Sequence, residues 1–322
     1  MAGVSVASQN PDAAKTAESF YMNTTIRQEV YTENEEILNE NNSILREIEQ
    51  RMSRTVKGSE IYKVNHTDGS VEVSEDTLHV LTQAVLAAQE TGGAFSPALG
   101  DIMDAWNFRA DTPRVPPEEQ ICQLLAKANY EDIKINQDKV DAGGTSIDLG
   151  GAVKGYALGQ IAQNLAEHEV ESALINAGGA IYAHGLRPNG EKWKIGIRDP
   201  KGIAEQYMGT LLIENAFLST SGTYERGFTA DGAYYHHLID PKTGWPAENG
   251  LLSVTVVSED GLLSDIYSTA LFVMGPDAGL AYANENGIDA VFLTAGGGVR
   301  TTNGFAEKYT FEIRSGTTYH EE

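Results

Sequence analysis

Between Ile147 and Gln160 the chain reads IDLGGAVKGYALGQ. This stretch restricts the fold more than any other. A short apolar approach ends in Asp148, the pair Gly150-Gly151 follows at once, and Lys154-Gly155 leads into a helix predicted over Tyr156 to Glu167. A carboxylate, a turn that tolerates close backbone approach, a cation and a helix N-terminus therefore fall together. Free N–H groups and a partial positive charge at a helix start suit a phosphate. A plain glycine-rich connection accounts for the same letters equally well.

Charge sharpens the choice. Among 322 residues, 23 Lys and Arg face 46 Asp and Glu, a formal net charge of -23. Nucleic acid and anionic membrane surfaces need a basic footprint, and this chain lacks one. A phosphate ligand would depend on backbone N–H groups, a few local cations or a divalent metal. The one cysteine, Cys122, excludes an internal disulfide, and its spacing with Leu125 and Ala126 predicts a buried thiol. No apolar run is long enough to predict a transmembrane helix. The first residues lack the charged start and apolar run of a signal peptide, so residues 1–19 read as a flexible leader left after a targeting segment. The rest, 20–322, reads as one domain, with room for two closely packed lobes.

Along the chain, Phe20 to Thr32 predicts a strand and Glu33 to Met52 a helix, in which Ile37, Ile44, Leu45, Ile48 and Met52 recur at helical spacings. Ser74 is placed to cap a helix over Glu75 to Thr91, which Gly92-Gly93 ends. AFSPALGDIMDAWNF reads as a loop, Glu118 to Ala128 as a helix, and Ile133 to Val140 as a small hairpin. Strands follow at 172–175, 193–197, 209–213, 216–220, 234–239, 252–257 and 290–293, with helices at 262–273 and 277–286. The interleaving is not a strict βαβ series. It predicts an α+β (mixed α/β) class, a largely antiparallel sheet with flanking helices.

Several clusters could carry chemistry. Asp265 and Thr269 stand four apart in a predicted helix and so share a face. They are hard oxygen donors of the kind Mg²⁺ takes, although a dipole-facing carboxylate and a core threonine fit too. His236-His237 precede LIDP; in a strand only one of them can face a site, as a general base, and a half-buried pair is an equal reading. The run from Thr220 to Arg226 could line a ligand pocket, with a simple turn as the first reading. Trp106 and Phe108 read as core. No dinucleotide fingerprint, Walker loop, HExxH or GxSxG element is present.

Taken in order, these pieces resemble the ApbE family, the flavin transferases that move FMN from FAD onto a protein. MNTT at 22–25, SEIYKVN at 59–65, TGGAFSPALGDIMDAWNF, IDLGGAVKGYALG, INAGGAIYAHG, TSGTYER, HHLIDPKTG and SVTVV…SDIYSTALFVMG follow the family's sequence of motifs. The resemblance implies an ApbE-like, T-fold-like architecture. It implies Mg²⁺ held by Asp265, Thr269 and the Gly151 carbonyl. It implies FAD contacts from Met22, Ala94, Phe95, Ser96, Asp148, Lys154 and Ile239, with Thr55 where many members carry a tyrosine near the flavin. His237 is implied as the base that activates a threonine or serine hydroxyl of an acceptor flavoprotein, with AMP released. Family members work outside the cytoplasmic membrane, often lipid-anchored, which implies an extracytoplasmic site of action. Ser96, Thr55, Ala180 and Thr223 depart from the family pattern. Two alternatives stand beside transfer: hydrolysis of FAD to FMN and AMP, and non-catalytic flavin binding.

Overall fold

The computed structural model describes residues 14–202 and 206–322. Its frame is a nine-stranded sheet whose strands lie side by side in chain order. They are β1 (Lys15–Tyr21), β2 (Thr24–Tyr31), β3 (Ser172–Ala177), β4 (Ala180–Gly185), β5 (Ala216–Gly222), β6 (Leu251–Ser258), β7 (Asp289–Thr294), β8 (Gly298–Thr301) and β9 (His320–Glu321). Neighbours are antiparallel except β8 and β9. The expected α+β class with a largely antiparallel sheet holds.

Between β2 and β3 the chain leaves the sheet and builds most of a helical layer. Helix α1 (Ile37–Met52) buries Ile37, Leu45, Ile48 and Met52 of the predicted apolar set and leaves Ile44 half-buried beside them. Helix α2 (Glu75–Glu90) starts on Ser74, whose hydroxyl accepts from the Thr77 N–H, as expected. Helix α3 (Gly100–Trp106) follows, then α4 (Val153–Glu167); α5 (Gly261–Met274) joins the layer later. The strands alternate between two cores. On β5, Phe217 packs with the α4 and α5 residues Leu158 and Ile266, while Ala216 and Leu218 pack with Trp193, Leu211 and Ile213 of a three-stranded sheet on the other face.

Small hydroxyl residues let α5 come close to the sheet. Ser219 Oγ lies 2.8 Å from Ser264 Oγ, and Ser221 Oγ lies 2.9 Å from Ser268 Oγ and 3.1 Å from Thr269 Oγ1. These contacts fix which face of α5 looks into the molecule.

Several expectations are corrected. The leader read over 1–19 falls partly outside the described residues, and Lys15 to Ser19 belong to β1. The single strand over 20–32 is a hairpin: Met22 and Asn23 adopt φ 50° and 59°, the pair of positive values a tight hairpin turn needs, without the usual glycine. Glu49 holds this strained turn, its carboxylate accepting from the Met22 N–H at 2.7 Å. The loop AFSPALGDIMDAWNF contains α3. The strand over 234–239 stops at His236 and resumes as Ile239–Asp240. Cys122 is exposed, because its helix (Glu118–Leu125) turns Ile121 inward and the thiol outward. Trp106 is buried in the core as expected, and Phe108, half-buried, stacks on it at 5.4 Å between ring centroids. Among the described residues no helix is long and apolar enough to cross a membrane.

Candidate active site

The IDLGG segment is held from both sides. The Asn65 amide donates to the Ile147 carbonyl and accepts from the Ile147 N–H, each at 2.8 Å. The Asp148 N–H donates to the Pro97 carbonyl at 2.8 Å. This fixes Asp148, whose Oδ1 accepts from the Gly150 N–H and whose Oδ2 accepts from Arg54 Nε, both at 2.7 Å. Arg54 also pairs with Asp104 at 2.7 Å.

Helix α4 begins three residues earlier than predicted, so Lys154 and Gly155 lie in its first turn. That turn meets α5 directly. Asp265, its side chain only 7% exposed, accepts from Lys154 Nζ on both oxygens at 3.1 Å and from the Gly155 N–H at 3.1 Å. The Gly155 N–H of this helix start thus serves the protein's own carboxylate. Thr269 lies one turn further along α5, and Gly151 packs against Phe95 and the Thr269 hydroxyl.

These residues line a cleft made of two adjoining cavities. The larger, about 440 Å³, falls in the roughly 300–1,000 Å³ range of ligand pockets. Its wall includes Ala94, Phe95, Ser96, Gly151, Ile239, Asp265 and Thr269. The smaller, about 140 Å³, includes Met22 and Thr55. Asp148, Lys154 and His237 line both. All twelve residues singled out by the sequence therefore meet in one place. Of the four departures, Ser96 and Thr55 face the cleft. Ala180 is buried in β4, and Thr223 donates through its N–H to the Leu252 carbonyl at 3.0 Å.

His236 and His237 part as two neighbouring residues should. His236 is buried edge-on to Phe272, and burial pushes its pKa down to about 4. His237 faces the cleft. Its Nδ1 lies 3.3 Å from the Arg226 carbonyl, which assigns the proton to Nδ1 and leaves the Nε2 lone pair free. Burial, then the Arg226 charge, push its pKa down to about 3, so the ring is neutral.

The cations are what the sequence reading missed. Arg54, Arg109 and Arg226 join Lys154 around the cleft of a chain that is acidic overall. Arg226 stands inside the quoted TSGTYER motif and Arg109 directly follows WNF, but spacing cannot show that two distant segments converge.

The cation site can be tested on the residues present. Among the described residues there is no group of three His, Cys, Asp or Glu side chains placed to hold a metal. What is present is an oxygen set: the Asp265 carboxylate, the Thr269 hydroxyl and loop carbonyls. The Lys154 ammonium already sits there, on both Asp265 oxygens and 3.2 Å from the Gly150 carbonyl. A cation held by hard oxygens is the chemistry Mg²⁺ prefers, so the residues fit it.

Residues 22–292 match the ApbE family. The chain is 31% identical over 286 residues to the FAD:protein FMN transferase of Treponema pallidum (strain Nichols), covering 83% of this chain and 79% of that protein. It is 31% identical over 280 residues to that of Klebsiella pneumoniae (strain 342), covering 85% and 87%. Among solved structures it resembles the ApbE protein of Thermotoga maritima, with a TM-score of 0.85 at 31% identity over 91% of this chain and 98% of that one. The apo flavinyl transferase ApbE of Pseudomonas stutzeri matches with a TM-score of 0.81 at 27% identity, over 92% and 96%.

Proposed function

Because the chain belongs to the ApbE family, we propose that it is an FAD:protein FMN transferase that uses Mg²⁺, modifies a threonine or serine hydroxyl of an acceptor protein and releases AMP. The observation that carries this reading is the meeting of Asp265, Thr269, the Gly150-Gly151 loop and a neutral His237 around one cleft.

The step is a phosphoryl-centre substitution. The acceptor oxygen attacks the phosphorus on the riboflavin side of the FAD pyrophosphate, a new P–O bond forms, and the P–O bond to AMP breaks. AMP takes the electron pair. His237 Nε2 receives the hydroxyl proton, and the Arg226 carbonyl keeps the ring in the tautomer that can do so. A substrate anion beside the ring favours its protonated form and so opposes the depression of its pKa, strengthening the base once FAD is in place. Asp265, Thr269 and the Gly151 carbonyl would hold Mg²⁺, which when bound supplies positive charge against the pyrophosphate oxygens. Lys154, which lines the same cleft, would be placed to pair with a phosphate oxygen. Phe95 and Met22 offer apolar surface for the flavin ring, and Asp148, clamped by Arg54 and the Gly150 N–H, is a fixed acceptor for a polar edge of the ligand.

The test is to mix the protein with FAD, Mg²⁺ and a candidate acceptor protein and follow acceptor mass. Transfer adds an FMN phosphoester to the acceptor and yields AMP. FMN and AMP formed with an unmodified acceptor would make the protein an FAD hydrolase. FAD bound but left intact with every acceptor would make it a flavin-binding protein.

A further inference from the structure

Two guanidiniums in the cleft lack a carboxylate of their own. Arg109, just beyond α3, and Arg226, at the foot of the hairpin that ends in His236, both line both cavities, and so mark their junction. Neither forms an ion pair within 4.0 Å with any described residue. The acids around them are engaged elsewhere. Asp148 spends its two oxygens on Arg54 and the Gly150 N–H. Glu225 pairs with Arg198 at 3.8 Å. Among the described residues the Arg226 guanidinium donates only to the Asn23 carbonyl, at 3.1 Å. Arg226 stands near enough to Arg109 for the two positive charges to oppose each other.

Two cations in one cleft, neither paired within 4.0 Å with a carboxylate of the described residues, in a chain of net charge -23, are placed for an anion that arrives from outside. Guanidinium forks match phosphate oxygens in pairs. The Lys154–Asp265 contact marks a separate cation position on the α4–α5 side of the larger cavity.

We propose that Arg109 and Arg226 form a metal-independent phosphate clamp, positioning one phosphate of the FAD pyrophosphate beside His237 while the Asp265 side takes the metal. The inference rests on the proposed transfer for the identity of the nucleotide. In that reaction the clamp counters the charge on the non-bridging oxygens of the phosphate under attack.

The test separates the clamp from the metal and from turnover. Binding of inorganic pyrophosphate and of FAD is measured by titration calorimetry in excess EDTA, on wild type, Arg109→Gln, Arg226→Gln, Arg226→Lys and Asp265→Ala. Each Gln variant should weaken pyrophosphate binding about tenfold or more, as loss of a charge-assisted hydrogen bond implies. Arg226→Lys should recover part of that loss, and Asp265→Ala should bind pyrophosphate no more weakly than wild type. Wild-type pyrophosphate affinity in both Gln variants would overturn the clamp, as would an absence of metal-free binding by the wild type. Should Arg226→Gln fail to fold, Arg109→Gln, at an exposed position, carries the same test. Failure of FMN transfer with the metal-free binding pattern intact would count against the proposed reaction and leave the clamp standing.

Discussion

A Cβ built on Gly155 would stand 1.9 Å from the carbonyl oxygen of Gly261, and one built on Gly261 would stand 2.4 Å from the carbonyl oxygen of Gly155. Helices α4 and α5 therefore touch backbone to backbone at their first turns. That contact lets the Gly155 N–H reach the Asp265 carboxylate, and it sets the distance between the IDLGG loop and the α5 oxygen donors.

Gly155→Ala should accordingly force the helices apart. The methyl would also meet Asp265 Cβ at 2.8 Å. The expected cost is about 1–3 kcal/mol from overpacking, together with loss of any metal-dependent activity. Gly159→Ala, one turn on, meets nothing within 4 Å and should stabilise the helix by about 0.5–1 kcal/mol. Denaturant unfolding of the two variants checks the contrast. Equal stability in both would mean the helices relax freely at Gly155.

Asp265→Ala should abolish Mg²⁺-dependent turnover, by about 10²-fold or more if the carboxylate holds the charge that stabilises the transition state. The fold should survive, because Lys154 keeps the Gly150 carbonyl at 3.2 Å and an open route to solvent. Thermal denaturation with and without Mg²⁺ provides a readout besides activity: the metal should raise the melting temperature of wild type and leave that of the variant where it was. Undiminished turnover in Asp265→Ala would remove the metal from this site.

How much of this was legible in the chain differs by element. The α1 face and the Ser74 cap follow from local spacing and local hydrogen bonds, which one segment contains in full. The Met22-Asn23 turn was hidden because neither residue advertises a positive φ; the strain is met by Glu49, from a different element. Helix α3 was hidden by the glycine and proline letters around it. The residues that line the cleft were visible through motif order, since a resemblance carries positions without needing contacts. Arg109 and Arg226 were not, because their meaning lies in having no carboxylate partner, a property of the packed molecule. Cys122 failed for the opposite reason: apolar spacing named the helix but not which side of it the thiol takes.

His237→Gln should separate chemistry from binding. The side chain offers a free lone pair at the cleft and no charge. Its loss should slow transfer by about 10²–10⁴-fold, the range of a general base, while FAD affinity changes by no more than about threefold. Single-turnover transfer rates set against FAD titrations give the comparison. A parallel loss of affinity and rate would make His237 a binding residue.

Acid should destabilise the fold before its carboxylates titrate. Burial holds His236 neutral, with its pKa near 4, and His237 near 3, against an unfolded value of 6.5. A lowered histidine pKa means the unfolded chain takes up a proton first. The stability each neutral ring contributes is therefore fully present above about pH 6.5 and is lost as pH falls toward the folded value. Each ring can contribute a slope of up to about 1.4 kcal/mol per pH unit in that window. His237 stands beside Arg226 and Lys154, whose positive charges add to its depression. His236 has no such neighbours and serves as the cleaner probe. Melting temperature measured from pH 7.5 to 4.5 should fall less steeply in His236→Gln than in wild type, with the two curves converging on acidification. Parallel curves across that range would mean His236 is protonated in the folded state and contributes nothing to the acid limb.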